Sequence, residues 1–277
     1  EDQKGIGFCL GCSLCAVALF AHAAWQRGGG LCCLAADWGE VETVQGAAKR
    51  FGMSAAVLKW IAVVTMVIDH FAAAVYLQMA QGYHYEVYYV MRKIGRIAFP
   101  IYCFLLVEGF FHTRNTAKYL RNCFLFALIS EIPFNMAIFG EIFYPRGQNV
   151  YFTLCIGLCA LIALDRLRAE RGMRFALMRL MVVVFAASAG EILDVDYHWK
   201  GVLFIILFYY IRNMQEWIRN AAVICAFAYE TTAPLALIPI HFYNGERGRQ
   251  MKYLFYAVYP VHLLVFGLIR FCLMGKG

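Results

Sequence analysis

Apolar runs occupy positions about 56–80, 94–111, 119–139, 150–164, 174–190, 200–211, a broken pair across 219–243, and 253–273, with short charged segments between them. Blocks of this kind predict helices that cross or enter a bilayer, because a helix satisfies its own backbone where lipid offers no partner. The pattern gives roughly eight or nine hydrophobic segments. Several fall short of the ~20 residues that a straight span needs, so short, broken or re-entrant helices are expected. The fold class is therefore all-α, a polytopic helical membrane protein.

The charges between blocks set an orientation. "DRLRAERGMRFALMR" (Asp165 to Arg179), "NGERGRQMK" (Asn244 to Lys252) and "HTRNTAKYLR" (His112 to Arg121) are the most basic and are expected in the cytoplasm. "EILDVDYH" (Glu191 to His198) is net acidic and is expected outside. The alternation then holds only if Arg219 to Tyr243 enters and leaves on one side, turning near "ETTAPL" at Glu230 to Leu235. "YYVMRKIGR" breaks the rule, because it puts Arg92, Lys93 and Arg96 on the outer side.

Composition agrees with the pattern. With 62% hydrophobic and 16% charged residues and a mean hydropathy of +0.61, the chain has too little polar surface for a soluble globule of its size. The formal charge of +7 lies between apolar blocks rather than on one amphipathic face, which fits topology and lipid headgroups and not nucleic acid. Of the eleven Cys, those at 103, 123, 155, 159, 225 and 272 sit in apolar runs as small hydrophobes, so no disulfide framework is expected. "CIGLC" (Cys155 to Cys159) reads as packing, and no metal is expected.

Residues 1–52 differ from the rest. An apolar stretch (Gly7 to Trp25) gives way to a Gly- and Cys-rich segment, the paired Cys32 and Cys33 read as incidental, and the first Met is Met53. An extra span, a fragment and translated upstream sequence are all open readings of this extension. Residues 53–277 form the membrane domain.

Within the apolar blocks lie Asp69, His70, Glu108 and Glu131, with Arg96 near a block end. A charge at the centre of a span costs roughly 2.5–3.5 kcal/mol, so each needs a partner, an aqueous cavity or a function. Lys59 and His70 are eleven residues apart, and at ~100° per residue they share a helix face, stacked about 16 Å apart. Asp69 lies ~100° away and cannot orient the His70 ring directly. The partner of His70 must come from another helix, and Glu108 and Glu131 are the expected choices. Arg114, Lys118 and Arg121 form a second cationic cluster, with Lys118 and Arg121 on one face, suited to phosphates or to anchoring.

"LKWIAVVTMVIDH", "GRIAFPIYCFLLVEGFFHTRN", "YLRNCFLFALISEIPFN", "QNVYFTLCIGL", "DYHWKGVLFIILFYYIR", "LIPIHFYNGERG" and "YAVYPVHLLV" together resemble, in order, segments of the TraX family. The resemblance implies a branch of the membrane acyltransferases, with a founding role in acetylating the amino terminus of pilin. It implies acetyl-CoA as cytoplasmic donor, an acceptor that is a pilin-like protein or envelope polysaccharide, and a place in the bacterial inner membrane as a multi-pass protein. In the similar acyltransferase family 3, an Arg-x10-His and an Arg-x2-Arg pattern mark the donor site. Lys59-x10-His70 and Lys118-x2-Arg121 are similar, with Lys in place of one Arg in each, which weakens bidentate phosphate binding.

On that reading His70 is general base or transient acyl carrier, and Glu108 or Glu131 orients it. Lys59, Arg114, Lys118 and Arg121 hold the CoA phosphates. Asp69, Arg96, Asn149, Asp196, Tyr197 and His262 are candidates to line the cavity. Two other classes compete: a proton-coupled transporter, which also uses buried acids and broken helices, and a structural component of a conjugation or secretion apparatus.

Overall fold

A computed structural model of the chain describes residues 52–79, 84–228, 230–249 and 251–274. The extension at 1–52 lies outside the described residues except for Gly52, and Cys32 and Cys33 lie outside them with it.

The described residues are helical, with two isolated bridges and no strands among them. α1 spans Ala55–Phe71 and runs on through a π-helical turn, Ala72–Tyr76, into Leu77–Met79. α2 (Tyr85–Gly95) leads through a short turn into α3 (Ala98–His112). Then follow α4 (Thr116–Ile138), α5 (Val150–Arg166), α6 (Met173–Ile192), α7 (His198–Ile211) and α8 (Glu216–Ala226). A 3-10 turn, Ala233–Ala236, precedes α9 (Leu237–His241), and α10 covers Lys252–Met274.

Each apolar block of the sequence coincides with one of these helices. Among the described residues, four helical runs are long and apolar enough to cross a membrane: Ala55–Met79, Tyr85–His112, Met173–Ile192 and Leu254–Leu273. The other blocks fall below that mark for two physical reasons. α5 and α7 are apolar but only 17 and 14 residues long, whereas α4 has 23 residues but carries Lys118, Arg121, Glu131 and Asn135. Large apolar side chains face outward along the bundle, including Leu128 and Ile132 on α4, Met181 and Phe185 on α6, and Leu264 and Leu268 on α10. Such a belt suits lipid rather than water, and the chain is a helical membrane protein.

Hydrogen bonds and ion pairs tie the basic segments together at one end of the bundle. The first orphan N–H groups of α1 find carbonyls in the loop after α9: Ala55 donates to Glu246 (2.8 Å) and Ala56 to Arg247 (3.2 Å). Arg247 in turn donates to the His112 carbonyl at the end of α3 (3.0 Å). Arg212 after α7 pairs with Glu108 (2.7 Å), and the Tyr209 hydroxyl donates to Asp165 at the end of α5 (3.2 Å). This basic end is where α1, α4 and α10 start, so those three helices run parallel to one another.

α4 and α10 form the largest helix interface. Phe126 stacks on Tyr256 at 4.6 Å, a side chain at Gly267 would overlap Met136, and Arg270 caps the last turn of α4 through the carbonyls of Ala137 (2.9 Å) and Ile138 (2.5 Å). The main core lies between α3, α5 and α7 around Ile101, Leu158, Leu161 and Ile205.

The segment from α8 through α9 enters and leaves on the basic end, as the charge pattern requires. Its two ends meet through Glu216 and His241, and its turn lies at depth, where Glu230 meets Lys93 and Arg96 (3.7 and 3.6 Å) and Thr232 donates to the Lys93 carbonyl (2.6 Å).

Candidate functional site

Lys59 and His70 occupy one face of α1, which is regular through Phe71, and a single face of α10 lies along it. Lys59 sits over the Phe255 ring (5.4 Å), His70 meets Tyr259 edge-on (5.9 Å), and Phe71 meets Phe266 (5.7 Å). At 1.5 Å per residue, His70 lies roughly 22 Å below the start of α1. There it is buried, and its Nδ1 forms a 2.7 Å hydrogen bond with Nε2 of His262. The rings are parallel within 11°. On its other side His262 Nδ1 donates to the Val258 carbonyl one turn earlier (2.5 Å). The π-helical turn begins two residues after His70, where Ala72 and Ala74 are fully buried. π-bulges recur at functional sites.

The helix that supplies the partner of His70 is thus α10, and the partner is an imidazole. This corrects the expectation of Glu108 or Glu131, both of which are committed elsewhere. Glu108 lies near the basic end with Arg212 (2.7 Å) and His112 (3.7 Å). Glu131 accepts from the Asn149 amide (2.6 Å). Asn149, fully buried, also donates to Ala127 (2.8 Å) and caps α5 by accepting from Tyr151 N–H (3.0 Å). The Glu131–Asn149 pair therefore fastens α4 to the start of α5.

Asp69 faces away from His70, as helix geometry requires. Its Oδ2 pairs with Arg92 at 2.5 Å, and Oδ1 is buried with no hydrogen-bond partner among the described residues. Gly95 packs directly on Asp69, and any side chain there would overlap it. Arg96 pairs with Glu230 and its guanidinium lies over the Tyr197 ring (6.0 Å), which stacks on Phe99 at 3.8 Å. The cations that broke the charge rule are thus neutralised inside the protein.

The turn that brings Asp196 and Tyr197 to this cluster holds Asp194, Tyr197 and His198 at positive φ (50°, 66° and 48°). Such backbone is costly outside glycine and persists where surroundings impose it. Here the Asp196 carbonyl accepts from Thr153 (2.5 Å), and its N–H donates to Gln148 (2.9 Å). Burial pushes the Asp196 carboxyl up to about 6; nearby Arg96 opposes the rise and Asp69 adds to it.

At the basic end Arg114, Lys118 and Arg121 are exposed. Among the described residues their side chains carry no hydrogen bond or ion pair, so their charge is available to an anion. Asn115 caps the helix by accepting from Lys118 N–H (2.8 Å), fixing the start of α4 at the cluster.

The model of one protein family, described as TraX protein, matches residues 54–270, a stretch that holds every side chain described above. The chain belongs to the TraX family. A curated relative, the probable fimbrial assembly protein FimC, serogroup H1, of Dichelobacter nodosus, is 31% identical, with 78% of this chain and 95% of the relative covered. No solved structure matches.

In this TraX-family chain the structure brings together His70 with His262, and Asp69, Arg92, Arg96, Asp196 and Tyr197 with Glu230. It leaves Glu108 near the basic end and Glu131 on Asn149. Glu230 and Tyr259 were not singled out as site residues by sequence, and Arg92 only as a charge on the unexpected side. The rule-breaking charges of Arg92, Lys93 and Arg96 were the signal for Glu230, since a cation expected on the wrong side needs an internal acid; Tyr259 had no such signal.

Proposed function

We propose that the chain is a multi-pass protein of the bacterial inner membrane that moves an acetyl group from cytoplasmic acetyl-CoA to an amine or hydroxyl on a pilin-like protein or envelope glycan. One observation carries the reading: a single α1–α10 face leads from Lys59, toward the basic end of the bundle, to a buried imidazole pair. That arrangement suits a donor whose phosphates stay at the surface while its thioester enters the bilayer. Arg114, Lys118 and Arg121 fit phosphate because their side chains have no partner among the described residues. Membership of the TraX family and a relative named for fimbrial assembly support a pilin-like acceptor.

In the transfer, the acceptor N or O bonds to the acetyl carbonyl carbon as the C–S bond breaks. His70 takes the proton from the acceptor and returns it to the departing sulfur, so CoA leaves as the thiol. Purified protein in lipid should bind acetyl-CoA, with binding weakened by Lys118→Ala and Arg121→Ala and turnover abolished by His70→Ala. Envelope fractions from cells carrying the protein should gain an acetyl mass on one component. No binding by folded protein would sink the proposal.

The ion pairs of Asp69 with Arg92 and of Glu230 with Lys93 and Arg96 favour one rival, a proton-coupled transporter. That reading predicts proton flux in proteoliposomes lost in Asp69→Asn, which the acetyltransferase does not require.

A further inference from the structure

A carbonyl can only accept, so the 2.5 Å contact with Val258 O puts the proton of a neutral His262 on Nδ1. Its Nε2 is then a bare lone pair. The 2.7 Å contact of that atom with His70 Nδ1 requires His70 to be the donor. The remaining ring nitrogen of His70, Nε2, is left unprotonated and has no hydrogen-bond partner among the described residues. Tyr259 meets both rings edge-on, at 5.9 and 5.8 Å, and restrains their planes.

We infer that His262 is a positioning residue: tied to the Val258 carbonyl, it locks His70 in the Nδ1–H tautomer and presents Nε2 as the atom that takes the proton of the acceptor. This deepens the acetyltransferase reading and rests on it for the chemistry, while the tautomer can be observed without any turnover. It also explains how a helical site works without a carboxylate behind its base. The second imidazole does the orienting, and its own orientation comes from the helix backbone.

The test uses the full chain in lipid vesicles with ring nitrogens of histidine labelled with 15N. His70→Gln identifies the resonances of His70 by their loss. Solid-state NMR of the wild type should show His70 protonated at Nδ1 and bare at Nε2. His262→Leu removes the acceptor and should release the tautomer, lowering kcat for acetyl transfer about 10²-fold or more while KM for acetyl-CoA stays within about two-fold. His262→Gln offers an amide oxygen to His70 Nδ1–H and should recover activity to within about ten-fold of wild type.

A proton on Nε2 of wild-type His70 overturns the inference, as does equal turnover in the Leu and Gln variants. A wild type that carries the expected tautomer yet transfers no acetyl group from acetyl-CoA overturns the acetyltransferase reading and leaves the lock standing.

Discussion

Asp69 and His70 are neighbours in sequence and belong to different networks, because one step along a helix turns them onto different faces. Asp69 joins Arg92, and His70 joins His262. Glu131 is likewise committed to a different partner, the Asn149 amide. Glu131→Gln keeps an acceptor for the Asn149 amide and should leave turnover within a few-fold of wild type. Glu131→Ala removes it and should destabilise the protein by about 1–3 kcal/mol in chemical or thermal unfolding. A loss of turnover in the Gln variant as deep as that of His70→Ala would return Glu131 to the active site. Asp196 makes a pH-dependent prediction. Its carboxyl is raised from 3.8 to about 6 by burial, so the fold prefers the neutral form. That preference is full below the unfolded value and is lost as pH rises through the folded one, a change on the order of 3 kcal/mol over the full range. In detergent the wild type should melt lower at pH 8 than at pH 5, and Asp196→Asn should remove most of that difference. An unchanged difference in the variant assigns the pH dependence to other groups.

The elements were legible wherever a signal lay along one helix. Apolar run length located the helices, loop charge required a re-entrant segment, and eleven-residue spacing put Lys59 and His70 on one face. What could not be read was which helix lies against which. His262 is 192 positions from His70, and nothing in the apolar period of α10 says that the face with Phe255, Tyr259 and His262 turns toward α1. The π-helical turn at Ala72–Tyr76 was equally silent, since a run of Ala has no preference for it. The re-entrant pair carries its own test. Cysteines placed at Gln215 and Asn244, before α8 and after α9, should both react with an impermeant thiol reagent from the side that labels Lys118→Cys. Labelling of the two from opposite sides would make the pair a true crossing and undo the orientation drawn from the charge pattern. The close approach of α2 to α1 gives a second check: Gly95→Ala forces a methyl into Asp69 and should cost about 1–3 kcal/mol of stability.

Across the whole molecule, charge is separated by depth. Arg114, Lys118 and Arg121 lie exposed at the basic end with no partner among the described residues, and the deep cations Arg92, Lys93 and Arg96 are matched by Asp69 and Glu230. An anion arriving from the basic side therefore meets available charge at the surface. Donor binding should accordingly depend on the surface cluster together with Lys59. Contacts to charged groups are worth about 1.5–3 kcal/mol each, so Lys118→Ala and Arg121→Ala should each raise KM for acetyl-CoA about ten-fold or more with kcat little changed. Arg92→Ala should instead lower stability without that KM signature. In sealed vesicles of defined orientation, transfer should proceed when acetyl-CoA is supplied at the basic end and fail when it is supplied only at the other. Equal transfer from both sides would mean that the path to His70 is open along its full depth, and the separation of charge would then serve insertion in the membrane rather than donor selection.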